Sequence, residues 1–329
     1  QLMKQQRTQE MGIAKDFDVT QLQSLILSLP FALTKDQQTA IKEIVEDLKS
    51  PQMMYRFLQG DVGSGKTVVS SVALYANYLA GYQGALMAPT EILATQHYQT
   101  LSRFFENTDV HIELLTGSLS LKEKERVYQA IQSGEADIVV GTHALFQKKV
   151  VYHNLGFVIT DEQHRFGVMQ RKALKNKGQQ VDFLIMSATP IPRTLAISMY
   201  GDMDVSTIKT MPQGRLPVKT QYIHSSSMKP ILKHLKSYLA QGGQCYVICP
   251  LVEDSENLEA KSASQIAKAM QKYFQTQYNV GLLHGQMKED EKEKVMNGFL
   301  NNTIQILVST TVVEVGVDVK NANMMVIYN

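Results

Sequence analysis

Short apolar runs alternate with longer amphipathic stretches along most of the chain. MMYRFLQ (53–59) precedes a helical pattern over 66–80, GALMAP (84–89) precedes one over 91–106, and VHIELLTG (110–117) precedes one over 120–132. ADIVVGTH, GFVITDE and FLIMSATP follow as further apolar runs. Continuous apolar runs separated by helices mark strands covered on both faces, so the pattern predicts a parallel, doubly wound α/β sheet. Ligands of such sheets bind beyond the carboxyl ends of the strands. The residues that close each run are therefore the first place to look for chemistry.

A second alternation occupies the rest of the chain. A helix near 229–240 is followed by QCYVICP, a helix near 257–275, NVGLLHG, a helix near 288–300, TIQILVSTT and MMVIYN. The final run reaches the last residue, where a parallel sheet normally carries a covering helix, so an incomplete second lobe is expected. Between the two alternations, GDMDVSTIKTMPQGRLP (201–217) turns to Gly, Pro and Asp and reads as a linker. Residues 1–20 are polar and without period, and Thr20 is a candidate cap for a short helix ending before Pro30. The expected organisation is a connector and helical lead-in over 1–29, a first lobe over 30–205, a linker over 206–220 and a second lobe over 221–329.

GDVGSGKT (60–67) matches G-x-x-x-x-G-K-[ST] between an apolar strand and a helical stretch, the context that motif requires. Gly60, Gly63 and Gly65 free the backbone, so that loop amides, Ser64 among them, and the helix N-terminus face phosphate oxygens. Lys66 would reach the β- and γ-phosphates of ATP, and Thr67 would hold Mg²⁺. A glycine-rich turn with an exposed lysine is the bland alternative, and the strand–loop–helix setting argues against it. Further on, GFVITDEQH ends an apolar run in Asp161 and Glu162. An Asp-Glu pair alone is an ordinary solvated strand end. Downstream of a phosphate loop the pair fits a division of labour, Asp161 for the metal and Glu162 for the attacking water.

Composition narrows the partners. The 329 residues suffice for two domains at about 100–200 residues each. With 33 basic against 31 acidic residues the net charge is only +2, so any nucleic-acid partner must be argued from local motifs. No apolar run approaches the ~20 residues of a membrane span, and QLMKQQRTQE holds no signal-peptide core. Cys245 and Cys249 stand alone on one strand face, as buried thiols do, and a reducing, cytoplasmic compartment is expected.

GDVGSGKT, DEQH and SATP (187–190) together resemble the DEAD/DEAH-like superfamily of helicases and translocases. Longer strings are similar to the bacterial branched-DNA helicases within it. They are DEQHRFGVMQR (161–171), SATPIPRTLA (187–196), GDMDVSTIKTMPQGRLPVKT (201–220), ICPLVEDSE (248–256), HGQMKEDEKEKVMNGF (284–299) and STTVVEVGVDV (309–319). The likeness runs from about Leu29 to the terminus. The transcription-repair coupling translocases share HRFGV and ATPIPRTL, yet they carry Glu where Gln163 stands and diverge in the linker and in ICPLVEDSE.

This resemblance implies two RecA-like lobes, ATP hydrolysis with Mg²⁺, and forked or Holliday-junction DNA as partner in recombination and repair. It also implies a monomer with no membrane association. Carried over by position, it gives Gln37 of LTKDQ (33–37) the role of reading adenine. Pro89 and Thr90 of APTEILA (88–94), Thr116 with Gly117, Thr142 with His143, and Thr310 with Thr311 would lie near DNA. Hydroxyl and main-chain contacts to phosphates need no large basic patch, which suits the small net charge. The helix RKALKNK (171–177) adds local positive charge but reads as a solvated face. Ser187 and Thr189 would couple hydrolysis to lobe movement, with Gln163 and His164 beside them, and Gly316 and Asp318 would approach the nucleotide from the second lobe.

The family's arginine-rich motif, an arginine-finger equivalent, falls beyond the last residue, as does its translocation hairpin. The N-terminal wedge domain precedes the matched region. The chain is accordingly expected to bind nucleotide but to turn it over weakly. Two readings from other classes compete: a phosphotransferase kinase with the same loop, which would lack a second lobe, and a docking module without turnover.

Overall fold

The structure, a computed structural model, describes residues 11–161, 180–188, 203–212, 218–223, 229–249, 256–275, 277–310 and 317–328. The chain forms two compact units, Gln1–Pro217 and Val218–Asn329.

The first unit is built on seven strands: β1 (Tyr55–Gly60), β2 (Gln83–Met87), β3 (Ile112–Leu115), β4 (Ile138–Gly141), β5 (Leu155–Asp161), β6 (Asp182–Ser187) and β7 (Asp204–Ile208). Their spatial order is β3-β4-β2-β5-β6-β1-β7, and neighbouring strands pair in parallel. β2, β4 and β6 are buried at every position, as continuous apolar runs require. The expected parallel α/β architecture is the one found.

Helices α1 (Val19–Ser28), α2 (Lys35–Lys49), α3 (Lys66–Leu79), α4 (Glu91–Phe104) and α5 (Leu121–Ser133) accompany these strands. Local chemistry starts most of them. Thr34 and Gln37 close a capping box on α2, Ser120 and Glu123 close another on α5, and Thr90 accepts from the Leu93 amide at α4. Such caps are worth about 1 kcal/mol each. Gly134, left-handed at φ 84°, ends α5.

The fold departs from three expectations. Residues 204–208, read as linker and divided by the 205/206 boundary, form the edge strand β7 beside β1. Val205, Ser206 and Ile208 pair along β1, and Ser206 Oγ accepts from Arg56 Nη1 at 2.9 Å. Five residues flanked by Gly, Asp and Pro were too short for the pattern to stand out. Beyond the strand, Asp36 at the start of α2 accepts from the Lys209 and Thr210 amides and the Thr210 hydroxyl. Those hydrogen bonds, Thr210's first, hold the Asp36 carboxyl below its usual range.

The lead-in is likewise no loose connector where it is described. Lys15, Phe17, Leu22 and Leu25 are buried, and the Gly12 and Lys15 amides donate to Pro51 and Leu48 carbonyls. Asp18, not Thr20, caps α1, accepting from the Thr20 amide at 2.8 Å.

The second unit carries β8 (Cys245–Ile248), β9 (Val280–Leu283), β10 (Ile306–Ser309) and β11 (Met324–Ile327), in the parallel order β11-β8-β10-β9. Helix α6 (Lys229–Leu239) precedes β8, α7 (Glu256–Phe274) joins β8 to β9, and α8 (Glu289–Leu300) joins β9 to β10. Cys245 and Cys249 are free and buried in this core, and burial pushes the Cys245 thiol up to about 12. Thiols so placed are inert packing groups. Among the described residues no helix is long and apolar enough to cross a membrane.

Candidate active site

The phosphate loop leaves β1 at Gly60 and enters α3 at Lys66. Gly63 and Gly65 take φ of 77° and 90°, a left-handed conformation that costs other residues about 1–2 kcal/mol. Gly60 is demanded by closeness instead, since a Cβ there would fall 2.4 Å from Ser64 Oγ. Gly65 gives α3 an N-cap without a side-chain hydrogen bond, and the first turn holds no acidic residue. The helix therefore opens with unscreened amide dipoles, an arrangement suited to an anion. Ser64 Oγ is buried without a hydrogen-bond partner among the described residues, and Lys66 Nζ folds back to donate to the Gly60 and Asp61 carbonyls at 2.7 and 3.2 Å. Both groups are hydrogen-bond donors that phosphate oxygens would satisfy.

Gln37 supports this loop from below. Its Oε1 accepts from the Thr34 amide at 2.8 Å, and its Nε2 donates to Ser64 O at 2.8 Å. Nε2 also lies where a side chain on Gly65 would go, 2.2 Å from the ideal Cβ. The side chain expected to read adenine is thus engaged at both ends by the protein. T-x-x-Q at 34–37 is a capping-box signature, so this second role was open to a local reading of the sequence.

Parallel pairing places the remaining chemistry. Gln59 is level with Ser187, and Asp161 is level with Met186 one strand further on. The tips of β1, β6 and β5 therefore lie side by side on one edge, with Ser187 between the phosphate loop and Asp161. Two strand spacings of about 4.8 Å separate β1 from β5. Asp161 Oδ2 lies 2.6 Å from Nε2 of His97, a buried residue of α4 that belongs to none of the sequence motifs. Its signal was present, since His97 shares a helical face with Leu93, Ala94 and Leu101 and interrupts an apolar stripe.

The candidate DNA residues occupy the other half of the same edge. Pro89 and Thr90 follow β2, Thr116 and Gly117 follow β3, and Thr142 and His143 follow β4, the strands on the side of β5 away from β1. Glu91 accepts from the Ser118 amide at 3.0 Å, and Lys124 Nζ donates to Gly117 O at 2.5 Å, so the turn after β3 is tied to the first turns of both α4 and α5. In the second unit Thr310 follows β10 with its hydroxyl buried and unpartnered among the described residues, while Asp318 is exposed. Glu162, Gln163, His164, Thr189, Thr311 and Gly316 lie outside the described residues.

A doubly wound sheet with a phosphate loop and a strand-tip aspartate on one edge defines a P-loop nucleotide-binding protein. Residues 34–197 match the model of the DEAD/DEAH box helicases, and 218–329 match that of the helicase conserved C-terminal domain. ATP-dependent DNA helicase RecG of Bacillus subtilis is 52% identical over 326 residues, covering 99% of this chain and 48% of that protein. The Streptococcus pneumoniae protein of the same name is 49% identical over 326 residues, again 99% of this chain and 48% of its own length. A solved structure of RecG bound to a three-way DNA junction aligns with TM-score 0.85 and 42% identity over 98% of this chain and 42% of that one. The chain belongs to the RecG family of DEAD/DEAH box helicases. It spans about half the length of the curated relatives it matches.

Proposed function

We propose that this chain is the ATP-driven motor of a branched-DNA helicase. The observation that carries the reading is the common edge of β1, β6 and β5, which holds the phosphate loop and Asp161 two strands apart in a chain of the RecG family. The Bacillus subtilis relative is named an ATP-dependent DNA helicase, and the solved relative holds a three-way DNA junction. These support ATP as the fuel and forked or Holliday-junction DNA as the partner. They favour that reading over a transcription-coupled translocase.

The loop amides and Lys66 would bind the β- and γ-phosphates, a role that the unpartnered Ser64 hydroxyl and the uncapped start of α3 support. Thr67 and Asp161 would hold Mg²⁺; a hydroxyl and a carboxylate are the hard oxygen donors this ion takes, with phosphate oxygens and water completing its shell. Magnesium bound there would offset charge on the phosphate oxygens. Glu162 would orient and deprotonate the attacking water. Gln163, His164, Ser187 and Thr189 would relay the state of the γ-phosphate, and Gly316 and Asp318 would serve the nucleotide from the second lobe. Pro89, Thr90, Thr116, Gly117, Thr142, His143, Thr310 and Thr311 would hold the DNA backbone. The Gln37 amide, held at Oε1 by the Thr34 amide and at Nε2 by Ser64 O, supports a loop-supporting role alongside any adenine contact.

The test separates binding from chemistry in the intact protein. Lys66→Ala should weaken binding of a fluorescent ATP analogue about 10–100-fold, the loss expected for hydrogen bonds to a charged group. Glu162→Gln should bind normally while DNA-stimulated hydrolysis on forked substrates falls about 10²–10⁴-fold. Equal loss of binding in both variants would end this assignment of roles.

A further inference from the structure

We propose that His97 is the positioning residue for Asp161, orienting the carboxylate and tying its placement to the helix that begins at the DNA-side Pro89–Thr90 turn. The proposal rests on the assignment of Asp161 to the metal made above.

Three observations carry it. His97 is buried at 7% exposure, and its Nε2 lies 2.6 Å from Asp161 Oδ2. An ionised carboxylate only accepts, so the proton of this bond sits on Nε2. A buried imidazole on an apolar helical face is costly unless its polar atoms find partners. Here that partner is a strand-tip carboxylate 64 residues away in the chain.

The contact also has a defined consequence for the carboxylate. The terminal torsion of an aspartate is broad, so an unrestrained carboxylate samples many settings. A hydrogen bond to Oδ2 selects one of them and leaves Oδ1 as the oxygen offered to a cation. Metal-binding carboxylates are generally held by such outer partners, whose loss costs about 10–100-fold in metal affinity or activity.

The third observation is the element that carries His97. Thr90 caps α4, and Glu91 in its first turn holds the Ser118 amide beside Thr116 and Gly117. His97 sits seven residues beyond Thr90, about two helical turns along the same helix. Because a helix moves as one body, a displacement of the turn after β2 or β3 is passed to the Asp161 carboxylate through one side chain. No equivalent polar link from α4 to the strand tip is needed for packing, since Leu93, Ala94 and Leu101 already bury that face.

The experiment is a Mg²⁺ titration of fluorescent ADP binding to the intact protein, with and without forked DNA. His97→Leu should raise the Mg²⁺ concentration for half-maximal tightening about 10–100-fold while leaving the affinity in EDTA unchanged. His97→Gln, whose amide nitrogen can occupy the place of Nε2, should recover most of that loss. Forked DNA should lower the Mg²⁺ midpoint of the native protein and leave that of His97→Leu unmoved. A native-like midpoint for His97→Leu, or equal losses in the Leu and Gln variants, would refute the positioning role, and a native protein indifferent to DNA would refute the coupling. Asp161→Asn keeps the two layers distinct. If it shifts the midpoint and His97→Leu does not, only the positioning role is wrong; if it shifts nothing, the metal assignment beneath it is wrong as well.

Discussion

The two ends of the same three strands are built on opposite principles. At their amino ends, β1, β5 and β6 are locked together through Asp182. Its carboxylate accepts from the Met54 amide at 2.7 Å and pairs with Lys15, whose ammonium also donates to Gly156 O at 3.0 Å. Both side chains are almost wholly buried. Burial pushes Lys15 down and Asp182 up from their ordinary pKa values, and their mutual attraction opposes both shifts. At the carboxyl ends polar groups are left with unmet capacity. Five buried side-chain polar atoms lack a partner among the described residues: Ser64 Oγ, Asn77 Oδ1, Thr160 Oγ1, His284 Nδ1 and Thr310 Oγ1. All but Asn77 lie at or just beyond the carboxyl end of a strand, Ser64 after β1, Thr160 in β5, and His284 and Thr310 in the separate sheet of the second unit. Within each sheet the shortfall therefore follows the carboxyl edge and not burial in general.

The sharpest way to break this contrast is to remove the amino-end clamp. Asp182→Ala leaves Lys15 buried without its counter-charge, and stripping one partner from a buried pair costs about 3–5 kcal/mol. Denaturant unfolding should show that loss, while nucleotide affinity per folded molecule stays native. The double change Lys15→Met with Asp182→Leu should recover most of the stability, because apolar replacement of a buried pair is often neutral or better. A selective loss of nucleotide binding in Asp182→Ala would mean that the two ends are not separable.

Gly65→Ala attacks the other end and should be smaller in stability but larger in function. At φ 90° an alanine carries about 1–2 kcal/mol of backbone strain. Its Cβ would also meet Gln37 Nε2 at 2.2 Å, and that side chain is tethered at Thr34 and Ser64. Relief requires giving up the bond to Ser64 O, which supports the loop. Unfolding should report about 2–3 kcal/mol in all once that bond is counted, and isothermal titration should report binding reduced beyond what Lys66→Ala alone removes.

How much of this could be read from residues depends on the range of the interaction. The phosphate loop was legible because its requirement is local: glycines, a lysine and a hydroxyl in one turn between strand and helix. The parallel strands were legible because burial on both faces leaves continuous apolar runs such as GALM and FLIM. Lys15 was not, because a lysine in a polar segment looks solvated until Asp182, distant in sequence, is brought against it. β7 was hidden because an edge strand is buried on fewer sides and its exposed positions alternate with Ser206 and Ile208. His97 fell between these cases. Its helix and its apolar face were visible, but the partner that makes it meaningful comes from another strand.

Ser64→Ala is the mildest change and the one that discriminates most finely between the two ends. If Ser64 were a structural group like Asp182, its removal would destabilise the unliganded fold. Its hydroxyl instead lies buried with no partner among the described residues, so the fold already carries the cost of dehydrating it. Alanine should leave unfolding in the absence of nucleotide unchanged or raise stability by up to about 1 kcal/mol. Binding should move in the other direction. A hydroxyl donating to a phosphate oxygen is worth about 1.5 kcal/mol or more, near tenfold in affinity. By linkage, the rise in Tm on adding nucleotide should then shrink for the variant even as its starting Tm holds or climbs. A fall in the starting Tm with an undiminished ligand-induced shift would make Ser64 a packing residue and remove it from the carboxyl-end set.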